Sequence, residues 1–170
     1  MVVEPGLPSL RGRFTFRVVR GAIADGCRKA GFRIVEYSVQ TNHIHLIAEG
    51  SCRERLARGM QGLGVRIAKR LNRFWKRRGR VFCDRYHDRI LRTPSEVRRA
   101  LVYVLQNARK HGVSLARGAL DPCSSARWFC GWRSQRPPRS SPLPRARTWL
   151  LEEGWRKWGL LSVNEVPRAR

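Results

Sequence analysis

Acidic residues are scarce in this chain of 170 residues. Aspartate and glutamate together number 12, against 36 lysines and arginines, so the formal net charge is +24. A folded protein accepts that much self-repulsion most readily when its partner is a polyanion. The sequence also has no long apolar run and no lipidation motif, so we expect no membrane association. Nucleic acid is therefore the expected partner.

Paired cysteines are absent as well. The five cysteines are an odd number, and none of them forms a Cys-x-x-Cys pair. This pattern supplies neither the ligands of a zinc ribbon nor a disulfide framework. A reducing compartment is then the default, and we expect a cytoplasmic, nucleoid-associated protein.

The hydrophobic periodicity of residues 1–118 alternates between helical and strand-like spacing. It predicts a helix, a hairpin of two strands, a basic helix, an extended segment and a last helix. The approximate ranges are Phe14–Lys29, Phe32–Val39 with His43–Ala48, Arg53–Arg78, Val81–Leu91, and Pro94–Lys110. Helices combined with a hairpin in one short chain indicate an α+β domain.

The composition changes after Gly118. Residues 119–170 contain five of the six tryptophans, and the Pro/Ser/Arg-rich stretch Ser134–Pro144 contains four of the nine prolines. Residues 1–118 carry 26 basic and 8 acidic side chains, whereas residues 119–170 carry 10 and 4. We therefore predict a domain at 1–118 that contains the polyanion site, followed by a basic extension at 119–170.

Two histidines share one face of the predicted return strand. Side chains alternate across a strand, so His43 and His45 point to one face while Ile44 points to the other. Two imidazoles about 7 Å apart along a strand can converge on one metal ion. Two surface histidines on a solvated strand produce the same pattern, so both interpretations stay open at this point.

The last predicted helix carries a tyrosine away from its apolar stripe. On a helical wheel Tyr103 lies more than about 100° from the centre of that stripe, and Asn107 lies beside it one turn later. The amide oxygen of Asn107 can bind a hard metal ion while Tyr103 faces the same space. Gln106 is predicted to point almost opposite to the core. A half-buried packing role for Tyr103 is the alternative.

One flank of the basic helix is lined with lysine and arginine. Glu54 is the only acidic residue among eleven basic ones between Arg53 and Arg80. A one-sided basic stripe predicts a track for phosphates, and a solvated charged face is the alternative. The candidate DNA-binding residues are Arg55, Arg66, Lys69, Arg70, Arg73, Lys76, Arg77 and Arg85.

The order of these motifs resembles a known family, the single-tyrosine HUH transposases of the IS200-like superfamily. Within it, the REP-associated tyrosine transposases are the most similar branch. The resemblance runs from about Leu7 into the tail. The motifs that carry it are His43–His45, the basic helix, Val81–His87, Tyr103–Asn107, Arg127–Phe129 and Arg147–Leu151.

This resemblance implies a ferredoxin-like antiparallel sheet flanked by helices, followed here by the basic, tryptophan-containing C-terminal extension. It implies Mg²⁺ or Mn²⁺ bound by His43, His45 and Asn107. It implies that Tyr103 forms a 5′-phosphotyrosine link to single-stranded DNA, so that the enzyme nicks and transfers strands at hairpin or repetitive DNA. One tyrosine per chain implies a homodimer.

Two features depart from the family pattern. Only Met1–Glu4 precede the Pro-Gly-Leu-Pro turn, so we expect either a short first strand or a start upstream of Met1. Asn107 is followed by Ala108 and Arg109 in place of the familial Pro-Val, and this change is expected to extend the helix.

Two rival functions stay open from sequence. A non-catalytic nucleic-acid-binding module, or a domesticated transposase remnant, explains the charge but leaves His43, His45, Tyr103 and Asn107 as a coincidence. A metal-dependent hydrolase that activates water leaves Tyr103 as a bystander. The general base for the tyrosine is also open among solvent, His87 and the substrate.

Overall fold

A computed structural model describes residues 1–83, 86–110, 112–138 and 140–167. Arg85, one of the predicted DNA-binding residues, lies outside the described residues. The helices and strands, in chain order, are α1 Arg13–Gly26, β1 Arg28–Lys29, β2 Phe32–Val39, β3 Ile44–Gly50, α2 Arg53–Phe74, α3 Pro94–Leu105, α4 Asn107–Lys110 and α5 Trp149–Glu152. Within these ranges no helix combines the length and apolar character that crossing a membrane requires.

The three strands form an antiparallel sheet in the order β1–β2–β3. In the β2–β3 ladder Ser38 lies opposite His45, and a bulge interrupts the register between Ile34 and Glu36. The predicted strand Phe32–Val39 is confirmed over its whole length, because its β-branched and aromatic side chains fill the core on both sides of the sheet. The fold is therefore α+β with a three-stranded antiparallel sheet, and the ferredoxin-like arrangement stays a prediction.

The first residues of the chain extend this sheet at β3. Met1 and Ile44 exchange two backbone hydrogen bonds of 3.0 and 2.9 Å. Val2 and Val3 then form one isolated antiparallel bridge each, the second of them to Phe82. Residues 1–3 thus pair with the sheet through single bridges and do not form a strand of their own.

Helices cover both faces of the sheet. On one face α1 and α2 pack together over a core that includes Val19, Ile23, Leu63, Ile67, Ile34 and Ile44. On the other face α3 packs over a second core that includes Val97, Leu101, Leu105 and Ile47. Each fully buried Leu or Ile contributes about 1.5–3 kcal/mol, so the two cores fix the helices to the sheet.

A glycine allows α2 to approach the sheet closely. A Cβ built at Gly59 would lie 2.1 Å from Cγ of Phe32, so no other residue fits here without displacing that ring. Glycine in a helix costs about 1 kcal/mol. Burial of the Phe32 ring, which is 1% exposed, offsets this cost.

The α2 helix ends at Phe74, four residues before the predicted end at Arg78. Lys76 adopts the left-handed region with φ at +52°, and the guanidinium of Arg77 donates to Asn72 Oδ1 at 3.1 Å and to the Arg80 carbonyl. Of the predicted DNA-binding residues, Lys76 and Arg77 therefore lie beyond the helix.

Residues after Gly118 pack against α3 and the sheet. Trp132 and Trp155 are buried in the core beneath α3, and Arg98 of that helix forms a bidentate ion pair with Glu165 at 2.7 and 2.9 Å. The Glu49 carboxylate at the end of β3 accepts backbone hydrogen bonds from Arg147 and Thr148. The domain boundary at Gly118 stays a prediction.

Candidate active site

The imidazoles of His43 and His45 lie against each other at the start of β3. Their Nε2 atoms are 2.9 Å apart, and the two rings meet edge to face with centroids 4.6 Å apart. Two nitrogen ligands in adjacent positions of an octahedral ion, each about 2.1 Å from it, lie about 3 Å apart. The spacing of the two Nε2 atoms therefore suits a shared divalent cation.

Asn42 orients the first imidazole of this pair. Its Oδ1 lies 2.8 Å from His43 Nδ1, and because an amide oxygen only accepts, the proton of a neutral His43 sits on Nδ1. The Nε2 lone pair then faces His45. Metal-binding histidines commonly have such a partner on the second ring nitrogen. The sequence patterns did not predict this role for Asn42, although its place next to a His-x-His motif was a usable signal.

Tyr103 lies on α3 and contacts the histidine pair at the start of β3. Its ring centroid lies 5.0 Å from that of His45, with the planes at 79°. The start of α3 is fixed by a capping box between Thr93 and Glu96, with Pro94 in the first turn. The alternation of side chains along β3 and the position where α3 begins thus bring Tyr103, His45 and His43 together.

Asn107, the predicted third ligand, is fully buried. Among the described residues, neither its Oδ1 nor its Nδ2 has a hydrogen-bond partner, an omission that costs about 1–3 kcal/mol for a buried polar group. The same residues contain no group of three or more His, Cys, Asp and Glu side chains able to hold a metal ion. An unsatisfied amide oxygen suits a hard cation.

Comparison with known families bears on this geometry. A family model described as "Transposase IS200 like" matches residues 11–107, which is more than half of the chain. The chain belongs to the IS200-like transposase family. The match includes His43, His45 and Tyr103 and ends at Asn107. No curated protein and no solved structure matched the chain.

The family assignment makes this protein a transposase, and its basic helix was the predicted DNA track. Lys69 and Arg73 are exposed on α2. Arg70 pairs with Asp25 at the surface, and Arg66 is half-buried with an Nε that has no partner among the described residues. Arg55 packs beside Gly31.

These basic residues are separated from the tyrosine by the sheet. The α2 helix packs on one face together with α1, whereas α3 packs on the other. The structure therefore does not bring Arg55, Arg66 or Arg70 together with Tyr103. A DNA strand that contacts both has to pass around an edge of the sheet.

The position of Gln106 corrects the prediction that it points away from the core. It is 2% exposed, and its Nε2 donates to the carbonyl of Val163 at 2.8 Å and to that of Ser162 at 3.3 Å. Residues near 163 cover the side of α3 on which Gln106 lies. A helical wheel of residues 94–110 cannot show this contact. The predicted single helix is accordingly broken at Gln106 into α3 and α4.

Glu36 on β2 carries a buried carboxyl group near the candidate site, and the sequence did not predict its burial. Glu36 pairs in register with Ile47 on the α3 side of the sheet, and burial raises its pKa from an ordinary 4.5 to about 8, although contact with Ser125 opposes this. The Ser125 hydroxyl lies 2.5 Å from Glu36 Oε2 and 3.1 Å from the Tyr37 carbonyl. The Tyr37 carbonyl also accepts from the Ser125 amide at 2.9 Å, so the Ser125 hydroxyl can donate its proton to Glu36.

We expect Glu36→Gln to remove a pH-dependent loss of stability in this transposase. Between about pH 4.5 and pH 8 the folded chain holds a proton on Glu36 that the unfolded chain has released, so the free energy of unfolding falls as pH rises. Glutamine is neutral and its amide oxygen can accept from Ser125, so the variant should be more stable at pH 7 by up to about 3 kcal/mol.

Urea unfolding followed at pH 5 and pH 7.5 measures this difference. Glu153→Gln, which changes an exposed carboxylate by the same atoms, is the control and should follow the wild-type profile. Parallel profiles for the wild type and Glu36→Gln would show that Glu36 is ionised in the folded state.

Proposed function

We propose that this transposase nicks single-stranded DNA and transfers the strand through a covalent bond between Tyr103 and a 5′ phosphate. The observation that supports it is the contact between the Tyr103 ring and the paired imidazoles of His45 and His43. A hydroxyl next to two imidazoles that can hold a metal ion suits nucleophilic attack on a phosphate. The proposed substrate is hairpin or repetitive DNA, and the proposed subtype is the REP-associated branch.

In the proposed reaction, the bond formed at Tyr103 replaces the bond broken in the DNA. The phenolic oxygen of Tyr103 gives up its proton and bonds to phosphorus, while the bond from phosphorus to the 3′ oxygen breaks and that oxygen takes a proton. The phosphodiester is exchanged for a phosphotyrosine and no bond energy is lost to water. A second 3′ hydroxyl can therefore reverse the step and join two strands. Solvent, His87 and the substrate are the candidates for the base.

Mg²⁺ or Mn²⁺ is the cofactor that we propose, held by His43, His45 and Asn107. When bound, such an ion polarises a phosphate oxygen and stabilises the charge on the leaving oxygen. All three ligands are neutral, so the full charge of the ion is available to the phosphate. Asn42 holds the ring of His43 in the orientation that this role needs.

We also propose a homodimer, because each chain offers one nucleophilic tyrosine and transposition cuts two ends. The net charge of +24 supports single-stranded or hairpin DNA as the partner and a cytoplasmic, nucleoid-associated location. In this arrangement each protomer of the pair would cut one end.

The deciding experiment incubates the purified chain with single-stranded hairpin DNA and Mn²⁺. The DNA is labelled at its 3′ end, because a 5′-phosphotyrosine retains the downstream fragment. A labelled protein band that survives a denaturing gel supports the proposal. Cleavage without such a band favours a metal-dependent hydrolase that uses water, and binding without cleavage favours a non-catalytic binding module.

The exposed basic residues of α2 allow a separate prediction. Replacing Lys69 and Arg73 together with Ala should weaken single-strand binding at all sequences, because both lost contacts are to phosphates. The slope of log affinity against log salt should fall by about 1.4, at about 0.7 for each phosphate contact. Fluorescence anisotropy over a salt series measures the slope.

A matched pair of substitutions separates this effect from the loss of charge alone. Arg133 and Arg136 are exposed in the C-terminal part, so replacing both with Ala removes the same net charge elsewhere. Equal slopes for the two double variants would mean that α2 is not the DNA track.

A further inference from the structure

A lysine that the sequence analysis did not single out contacts the candidate nucleophile. The Nζ atom of Lys110 lies 4.9 Å from the centroid of the Tyr103 ring. The side chain is exposed, and within the described part of the chain no carboxylate forms an ion pair with it. A full positive charge is thus held next to Tyr103.

The break in the helix at Gln106 sets the course of the segment that carries Lys110. In a continuous helix, residues seven apart lie about 10.5 Å from each other along the axis. Here α3 ends at Leu105, Gln106 leaves helical geometry with φ at −111° and ψ at 13°, and α4 starts at Asn107. The ammonium group of Lys110 lies over the ring of Tyr103.

The turn that carries Lys110 is anchored on both sides. Gln106 donates to the carbonyls of Ser162 and Val163. Arg109 donates to the carbonyl of Ala119 at 2.9 Å and to Gln106 Oε1 at 3.3 Å. These contacts hold the backbone turn from which the exposed side chain of Lys110 reaches the Tyr103 ring.

We propose that Lys110 binds a non-bridging oxygen of the DNA phosphate that Tyr103 attacks. A phosphate in position for attack lies about 3–3.5 Å from the phenolic oxygen, within reach of an ammonium group already at the ring. Lysine is a compact point charge with three donors and binds phosphates as such. A fixed cation also stabilises the charge that builds up on the phosphoryl oxygens during transfer.

The assignment rests on the proposed function for the identity of the attacked phosphate, but the charge contact can be tested without cleavage. Full-length Tyr103→Phe keeps the ring and serves as the parent. Its affinity is measured for hairpin oligonucleotides in which one phosphate at a time is replaced by an uncharged methylphosphonate. We expect one position to weaken binding by about tenfold, as loss of a charge-assisted hydrogen bond does.

Adding Lys110→Met to the parent should reduce that position effect to less than about twofold, whereas Lys110→Arg should retain most of it. The matched control is Lys157→Met, which removes an ammonium 5.1 Å from the Trp149 ring and should keep the full effect. The proposal is overturned if Lys110→Met shows the profile of its parent, or if no position stands out in the parent.

A kinetic measurement tests the same residue on the active transposase. Lys110→Met with Tyr103 intact should lower the rate of adduct formation at saturating DNA by about 100-fold and change the half-saturating DNA concentration little. An unchanged rate in Lys110→Met would overturn the proposal. If no variant forms an adduct while the methylphosphonate effect persists, the proposed chemistry fails and the phosphate contact of Lys110 stands.

Discussion

Tyr103→Phe should abolish the covalent DNA adduct and strand joining, a loss on the order of 10³-fold or more. The substitution removes one oxygen and leaves the ring in contact with His45 and Lys110. We therefore expect the free energy of unfolding and the affinity for single-stranded DNA to change little, the latter by no more than a few-fold. Denaturing gels with 3′-labelled hairpin DNA measure the adduct, and anisotropy measures the affinity.

The remaining tyrosines define the control for this experiment. Tyr37 is 1% exposed and burial raises the pKa of its hydroxyl, so it is unavailable to a DNA strand. Tyr86 is only partly buried, and Tyr86→Phe removes the same atom and should leave adduct formation intact. An adduct that persists in Tyr103→Phe and disappears in Tyr86→Phe would move the nucleophile to Tyr86.

His43→Ala should abolish cleavage by a different route, through loss of the proposed metal ion. The Nε2 atoms of His43 and His45 are 2.9 Å apart, so removing one imidazole leaves a single nitrogen ligand at this point of the site. We expect the affinity for Mn²⁺ to fall by about 100-fold or more, whereas Tyr103→Phe should bind Mn²⁺ like the wild type. Titration of Mn²⁺ followed by calorimetry distinguishes the two variants.

Two further variants should show a smaller loss of Mn²⁺ affinity or none. Asn42→Ala removes only the hydrogen bond that orients His43, so Mn²⁺ affinity should fall by about tenfold. His87 is exposed and does not belong to the pair, and His87→Ala should leave Mn²⁺ binding unchanged. Wild-type Mn²⁺ affinity in His43→Ala would remove the imidazole pair from the metal site.

The local elements of the fold were predictable where adjacent residues determine them. β2 follows from a run of β-branched and aromatic residues, and α3 begins where Thr93 and Glu96 form a capping box. The ends of α2 and α3 were not predictable in the same way. The α2 helix ends where Arg77 turns back to Asn72, and α3 breaks because Gln106 bonds to residues more than 50 positions later in the sequence.

In the candidate site, too, the residues placed by local sequence were predictable and those placed by distant contacts were not. Strand alternation places His43 and His45 together without reference to any other element. The contacts of Lys110 and Glu36 depend on a helix break and on Ser125, which lies 89 residues from Glu36 in the sequence. A helical wheel also cannot show what packs against its flank, so it grouped Arg66 with the exposed basic residues although α1 lies beside it.

The ion pair between Arg11 and Asp121 has a consequence for the order in which the chain folds. Its two bonds, of 2.7 and 3.0 Å, join residues 110 positions apart, and Val39 and Cys123 are linked nearby through the backbone. Closing a loop costs more entropy as it lengthens, by about 0.6 kcal/mol for each doubling. The hairpin of β2 and β3 closes a short loop and should form early, whereas the segment around Asp121 should dock late and limit the folding rate.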